Sequence, residues 1–491
     1  MKETKKFRRI LCAVLAVVSI ISLTACGPKS SETLNGEVPE LVWYNRSATT
    51  RDHQLVYDEV NKYIEPKIGA TVKNISIIGA EYDEKTRLIL ASGEKFDLLY
   101  FGGRNYDNYV KNGSLAPMTE LLETHGKAVK DITPDYAMKT AIANDGEIYA
   151  LPIYKDFAVE HTVYYNKDMA EKYNLDMDSV KEFKDLAPIY EVIRDNEPTT
   201  YPLNFPLSLT PFELLQYDDI GGAEGFAAID LEGDPNTIVN PYATEQAMEY
   251  YKLMHDFYNK GFIRKDIATE NTGAGGGTFS SIEQELPYLV DQKNATRGHT
   301  YKYGVVHLIK PKMGTLNVRA CMMGISSTSD YPEKTMALIS LINTDKYLRN
   351  LVSLGIEGKH WIAVGEDQFK LPEGCATKAD TGFETYVSPQ GNKYLMRMIE
   401  GTPEDIYDKY LEFDKIAIQS PALGFSFDAE NFQNELTAFG NVYQEYMNAI
   451  ISGAADPEEM LPKALAKFEN AGMSRFIAEV QKQYDEWREN Q

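Results

Sequence analysis

From Glu40 to Gly103 the chain alternates between two hydrophobic periods, and this alternation limits what it can fold into. Leu41-Val42-Trp43-Tyr44 is a short β-rich run, and 51–64 places Leu55, Val56, Val60 and Tyr63 at helical spacing. Residues 70–78 are rich in β-branched types, 81–91 read as a helix, and Phe96-Asp97-Leu98-Leu99-Tyr100 reads as a buried strand closed by Gly102-Gly103. Strand, helix, strand, helix, strand predicts a parallel sheet, in which ligands lie in the crevice outside the carboxyl ends of the strands. The segments to follow are therefore Tyr44-Asn45-Arg46, Gly79-Ala80-Glu81-Tyr82 and Phe101 to Tyr106.

A length of 491 residues predicts two or three compact units, and 43% hydrophobic with 25% charged residues excludes a disordered chain. The net charge of −23 repels phosphates and anionic headgroups, so neither nucleic acid nor a lipid surface is an expected partner. Tyrosine is abundant at 32 against 3 tryptophans, which supplies ring faces for a polar ligand as readily as packing for a core.

The first segment has a basic stretch, Lys2, Lys5, Lys6, Arg8 and Arg9, then an apolar run from Ile10 to Leu23 that is short for a membrane span. It ends Leu23-Thr24-Ala25-Cys26-Gly27, which resembles a bacterial lipobox with Cys26 as the lipidated residue. Residues 1–25 are thus expected to be a signal peptide, and 26–39, polar with Gly, Pro and Ser, a tether holding the body at the outer face of the cytoplasmic membrane. Cys12 leaves with the signal, so Cys321 and Cys375 remain, expected as two buried thiols without a metal or redox motif.

Further along, Ile148-Tyr149-Ala150-Leu151-Pro152 is followed by the strand Thr162-Val163-Tyr164-Tyr165-Asn166-Lys167-Asp168. Together with Gly324 to Ser329 leading into Pro332 to Ala337, with Leu354 to Trp361, and with Gly424-Phe425-Ser426-Phe427-Asp428 before a final helix, this order resembles the extracellular solute-binding proteins of carbohydrate ABC importers, in their lipoprotein branch. The resemblance implies an α/β, two-lobed, periplasmic-binding-protein-like (type II) fold with hinge strands and a helical C-terminal region. Lobe one is expected at 40–152 and 303–343, with Tyr303-Gly304-Val305-Val306 as its returning strand, and lobe two at 153–302 and 344–491. It also implies an oligosaccharide as ligand, permease subunits as partners and a monomeric receptor. Residues 474–488 place Phe476, Ile477, Val480, Tyr484 and Trp487 on one helical face, which assigns Trp487 to packing.

No HExxH, GxSxG or CxxC occurs, so no catalytic motif, cofactor or metal is expected. Gly273 to Gly277 lacks the GxxxxGK[ST] phosphate pattern, and Asp230-Leu-Glu232-Gly-Asp234 lacks the distal Glu of a calcium loop. A sugar site needs rings for C–H faces and polar side chains for hydroxyls. Candidates at loop ends are Trp43, Tyr44, Asn45 and Arg46; Tyr82; Phe101, Arg104, Asn105 and Tyr106; Tyr154, Asp156 and Phe157; Asp219; Trp361; and Phe425 with Asp428. Strand alternation predicts that either Trp43 or Tyr44 faces the ligand while the other faces the core. A receptor for peptides or other solutes, or a glycan-acting surface lipoprotein, is the alternative reading. The lipobox makes a direct prediction: in bacteria fed labelled fatty acid the wild-type protein carries label and Cys26→Ala does not, whereas equal labelling would remove the anchor.

Overall fold

The computed structural model describes residues 38–490 apart from 49, 205–213, 222–224, 270–276 and 296–300. The expected signal peptide, Cys26, nearly all of the tether and most of the glycine run lie outside the described residues. Nine strands build two main sheets: β1 (Glu40–Arg46), β2 (Thr71–Ile77), β3 (Leu98–Phe101), β4 (Ala150–Pro152), β5 (Glu160–Asn166), β6 (Thr200–Asn204), β7 (Gly277–Glu285), β8 (Tyr303–Val306) and β9 (Met322–Ile325). The first has the order β2-β1-β3-β9-β4 and the second β8-β5-β7-β6. In the first, β1 runs parallel to both neighbours, with Trp43 opposite Asn74 on one side and Leu98 on the other. This is the parallel unit expected from 41–103.

Helices α1 (His53–Ile68), α2 (Tyr82–Ser92), α3 (Tyr106–Lys111) and α4 (Asp135–Ala141) belong to the first lobe. Val56, Val60, Ile64 and Ile68 recur every fourth residue of α1 and are all buried, so one face packs on the sheet. Gly69 stops the helix in the left-handed conformation at φ 62°, and its N–H donates to the Glu65 carbonyl. Leu41, Trp43, Tyr44 and Asn45 are all buried, which means that both faces of β1 are covered. The expected choice between Trp43 and Tyr44 therefore does not arise: Trp43 lies in the core at 1% exposure, and the Tyr44 ring packs on Phe96 while its hydroxyl donates to Glu94.

Two expected segments fall elsewhere. Tyr303–Val306 pairs antiparallel with β5 in the second sheet, because alternation identifies a strand and not its partner. Helices α5 (Pro332–Thr344) and α6 (Lys346–Leu354) share one core with the first sheet, so the chain stays with lobe one beyond residue 343. The hydrophobic face of α6, including Leu348, Leu351 and Val352, is what holds it there.

Between the lobes the strand pair Lys312–Met313 with Ile418–Gln419, bridged to Val159, forms the hinge, over a small core of Phe157, Ala158, Met313, Val318, Phe413 and Leu423. The C-terminal helices, ending in α7 (Met473–Glu489), share the second lobe's core: Phe226 lies 5.3 Å from Phe439, and Phe468 stacks with Tyr242. Tyr484 is fully buried and Trp487 packs beside it at 5.9 Å, as the helical period predicts. Removing the Trp43 ring leaves a cavity between covered faces, so Trp43→Ala is expected to lose about 3 to 5 kcal/mol of stability in denaturant unfolding. A loss below about 1 kcal/mol would place the ring outside the core.

Candidate functional site

The register of the first sheet brings several chain ends to one edge. β1, β2 and β3 finish there, and the antiparallel pairing of Met322 with Phe101 and with Pro152 adds the start of β9 and the end of β4. Arg46 is exposed at this edge. A Cβ on Gly79 would lie 3.2 Å from its guanidinium and 3.5 Å from the Tyr386 ring, so Arg46, Gly79 and the exposed Tyr386 converge. After β3 the chain must turn tightly against Arg319: a Cβ on Gly103 would come within 2.2 Å of the Arg319 Cβ, which excludes any larger residue. That turn presents Arg104, whose Nη1 is 3.9 Å from Asp219 of the second lobe, and half-buried Asn105.

Other expected site residues are committed to packing. Tyr82 is enclosed, and its hydroxyl donates to the Tyr100 carbonyl at 2.5 Å. Phe101 and Tyr106 are buried against each other, and the Tyr106 hydroxyl donates to the Ala141 carbonyl. Phe157 is in the hinge core and Phe425 packs on Tyr484 and Trp487. Trp361 lies in a separate small core and donates through Nε1 to the Gly355 carbonyl at 2.9 Å. Asn45 is fully buried, and within the described residues neither of its amide atoms has a partner.

Beside the hinge, half-buried Tyr154 lies 4.7 Å from Tyr394, and its carbonyl accepts from the Lys393 N–H at 2.9 Å. Asp156 accepts from the Lys393 ammonium, which sits 3.9 Å above the Tyr410 ring. Asp414 receives the N–H groups of Phe157 (3.0 Å) and Ala158 (2.8 Å). Burial nevertheless pushes its pKa up to about 6. In the second lobe the alignment of β5 and β7 sets Glu160 opposite Glu285, and burial pushes the Glu285 pKa up to about 7.

Tyr288 had no signal in the period of the sequence. It follows β7 with φ 71°, a conformation that costs a bulky residue energy, and its hydroxyl donates to the Gly401 carbonyl at 3.1 Å. Its place after a strand that runs parallel to β6 is the clue that could have found it. Gly221 and Asp219 form a local turn, with the Gly221 N–H donating to the Asp219 carboxylate. A groove of ≈ 860 Å³ runs between Arg104 to Lys111 of the first lobe and Ser426 to Gly440. It collects Arg104 and Asp428 from the expected set, and adds Asn108, Lys111, Ser426 and Gln433. Among the described residues no cluster of His, Cys, Asp or Glu could hold a metal ion. Cys321 is buried, Cys375 is half-buried, and both are free.

Residues 60–355, more than half of the chain, match the model of the bacterial extracellular solute-binding proteins. The chain belongs to that family. Residues 421–489 also match a domain of unknown function (DUF3502). Among curated relatives, a carbohydrate ABC transporter substrate-binding protein of Streptococcus pneumoniae serotype 4 is 28% identical over the whole of both chains. The fructooligosaccharide ABC transporter substrate-binding protein FusA of the same organism is 24% identical, over 97% of this chain and 98% of its own. A crystal structure of the N-glycan transport solute binding protein NgtS from S. pneumoniae superposes with a TM-score of 0.83 at 26% identity, covering 92% of this chain and 99% of that one. Its complexes with Man1GlcNAc and Man5GlcNAc superpose with TM-scores of 0.74 and 0.71. The two α/β lobes and the hinge are thus those of a solute-binding protein, and the family is extracytoplasmic.

Proposed function

We propose that this solute-binding protein captures a neutral oligosaccharide in the crevice at the carboxyl edge of the first sheet and delivers it to the permease of an ABC importer. The observation that carries the reading is the pairing of charge around that crevice. Arg104 faces Asp219, and Lys393 is held by Asp156. Among the described residues Arg46 alone of the cations named at this edge makes no ion pair, which leaves a single charge for a charged solute, whereas the paired groups still offer donors and acceptors to hydroxyls. The full-length likeness to a carbohydrate ABC transporter substrate-binding protein supports the same ligand class.

In this reading Arg46, Arg104, Asn105 and Asp219 hydrogen-bond the sugar, and Tyr154, Tyr288 and Tyr386 offer ring faces. Trp43, Tyr44, Tyr82, Phe101, Tyr106 and Phe157 keep the edge rigid from beneath. The receptor acts as a monomer tethered through Cys26, closes by bending at the hinge strands, and binds without turning its ligand over.

Calorimetry against panels of neutral oligosaccharides and of peptides tests the proposal. One class of oligosaccharide should bind saturably, and at a hundredfold excess over Kd should raise stability by about 2.7 kcal/mol. Tyr288→Ala should weaken that binding by on the order of 2 kcal/mol, as expected of a binding hot spot. Peptide binding with no response to any sugar, or release of a cleaved glycan, would contradict it.

A further inference from the structure

The region 421–489 does two things that its match to a domain of unknown function leaves unstated. Its helices are part of the second lobe, since Phe432, Phe439, Phe468 and Phe476 share that lobe's core with Phe226 and Tyr251. Its first ten residues nevertheless grip the first lobe. The backbone at Gly424, φ 99°, passes so close to α4 that a Cβ there would lie 3.3 Å from the Lys139 carbonyl. Ser426 Oγ accepts at 2.9 Å from Nη1 of Arg319, a residue 1% exposed that also bonds Asp107 of α3 (3.3 Å) and the Thr140 carbonyl of α4. At the end of α3 the Lys111 ammonium donates to Asp428 (3.3 Å) and Glu430 (2.5 Å). Asp428 is held in place from behind, because Gln483 of α7 bonds both its N–H and its carbonyl. The Lys139 ammonium lies 5.3 Å from the Trp487 ring of the same helix.

These contacts start at the hinge, where the Thr315 hydroxyl donates to the Ala422 carbonyl and accepts from the Gly424 N–H, and extend outward to connect a rigid part of one lobe to two helices of the other. We infer that the 424–430 segment is a brace that holds the lobes in their separated arrangement, and that ligand capture must release it. The inference rests on the capture reading given above. The braced arrangement is the one that superposes better on the N-glycan transport protein than on its two glycan complexes. Exposed ion pairs are individually weak, but the equilibrium between two lobe arrangements is shifted by small differences, and any fraction held in the wrong arrangement raises the apparent Kd. Loosening the brace should therefore tighten binding.

Lys111→Ala and Glu430→Ala test this, with Lys111→Arg to keep the charge and Lys62→Ala to remove a lysine whose ion pair with Glu59 lies within α1. All three sites are on the surface, and equal melting temperatures verify that each of the four variants is folded. By small-angle scattering without ligand, Lys111→Ala and Glu430→Ala should have a smaller radius of gyration than wild type. Their Kd for the best oligosaccharide should fall about two- to fivefold, as expected for loss of an exposed pair. Lys111→Arg and Lys62→Ala should match wild type. Raising salt to about 0.5 M should compact wild type and leave Lys111→Ala unchanged. A radius of gyration and salt response equal to wild type in both alanine variants, or a larger radius, would overturn the brace. If no oligosaccharide binds at all, the capture reading fails, and the ligand-free scattering still decides the brace.

Discussion

The parallel pairing of β1 between β2 and β3 is the constraint on which the rest of the structure depends. Parallel strands need crossovers, so α1 and α2 must return the chain over the sheet, and β1, β2 and β3 then end at the same edge. That edge is where Arg46, Gly79 and the turn at Gly103 lie. It also explains why so many tyrosines are enclosed. A strand covered on both faces needs large side chains over both, and the hydroxyls of the enclosed Tyr82 and Tyr106 donate to backbone carbonyls.

Electrostatics then separates the two lobes' contributions. Cations of the first lobe, Arg104 and Lys111, face anions supplied by the second lobe, Asp219, Asp428 and Glu430. Pairing of this kind favours a neutral, hydroxyl-rich ligand. It also makes the relative placement of the lobes sensitive to single side chains at the surface. A receptor that must both hold and release its cargo needs small energies at its moving joint, and solvent-exposed pairs supply energies of that size. The buried hinge core around Phe157 and Met313 meanwhile keeps the axis of the motion fixed.

The sequence made the elements legible and left their neighbours hidden. Period alone locates β1, α1, β2, α2, β3 and the last helix, because a 3.6-residue or 2-residue repeat of apolar residues is a local property. It could not say that Tyr303–Val306 pairs with β5, since the same alternation suits either sheet. Nor could it say that α6 packs on the first lobe, which depends on surfaces brought together only by folding. The candidate site divides along the same line. Charged and amide residues at strand ends, Arg46, Arg104, Asn105 and Asp219, stay at least partly exposed to solvent because burying them costs free energy, unlike Asn45. The aromatic residues beside them were ambiguous, as a ring serves a core and a sugar equally well. Tyr288 was invisible to period because its place is fixed by a turn with positive φ.

The central claim is that two lobes close on a neutral oligosaccharide, and the distance between them measures it most directly. Spin labels at Glu84→Cys on α2 and Glu232→Cys in the second lobe, both exposed positions, with Cys375→Ser to remove the more accessible thiol, would report that distance by pulsed electron spin resonance. Saturation with the bound oligosaccharide should move the distribution to shorter distances and narrow it. A sugar bound tightly with the distribution unmoved would contradict capture by closure.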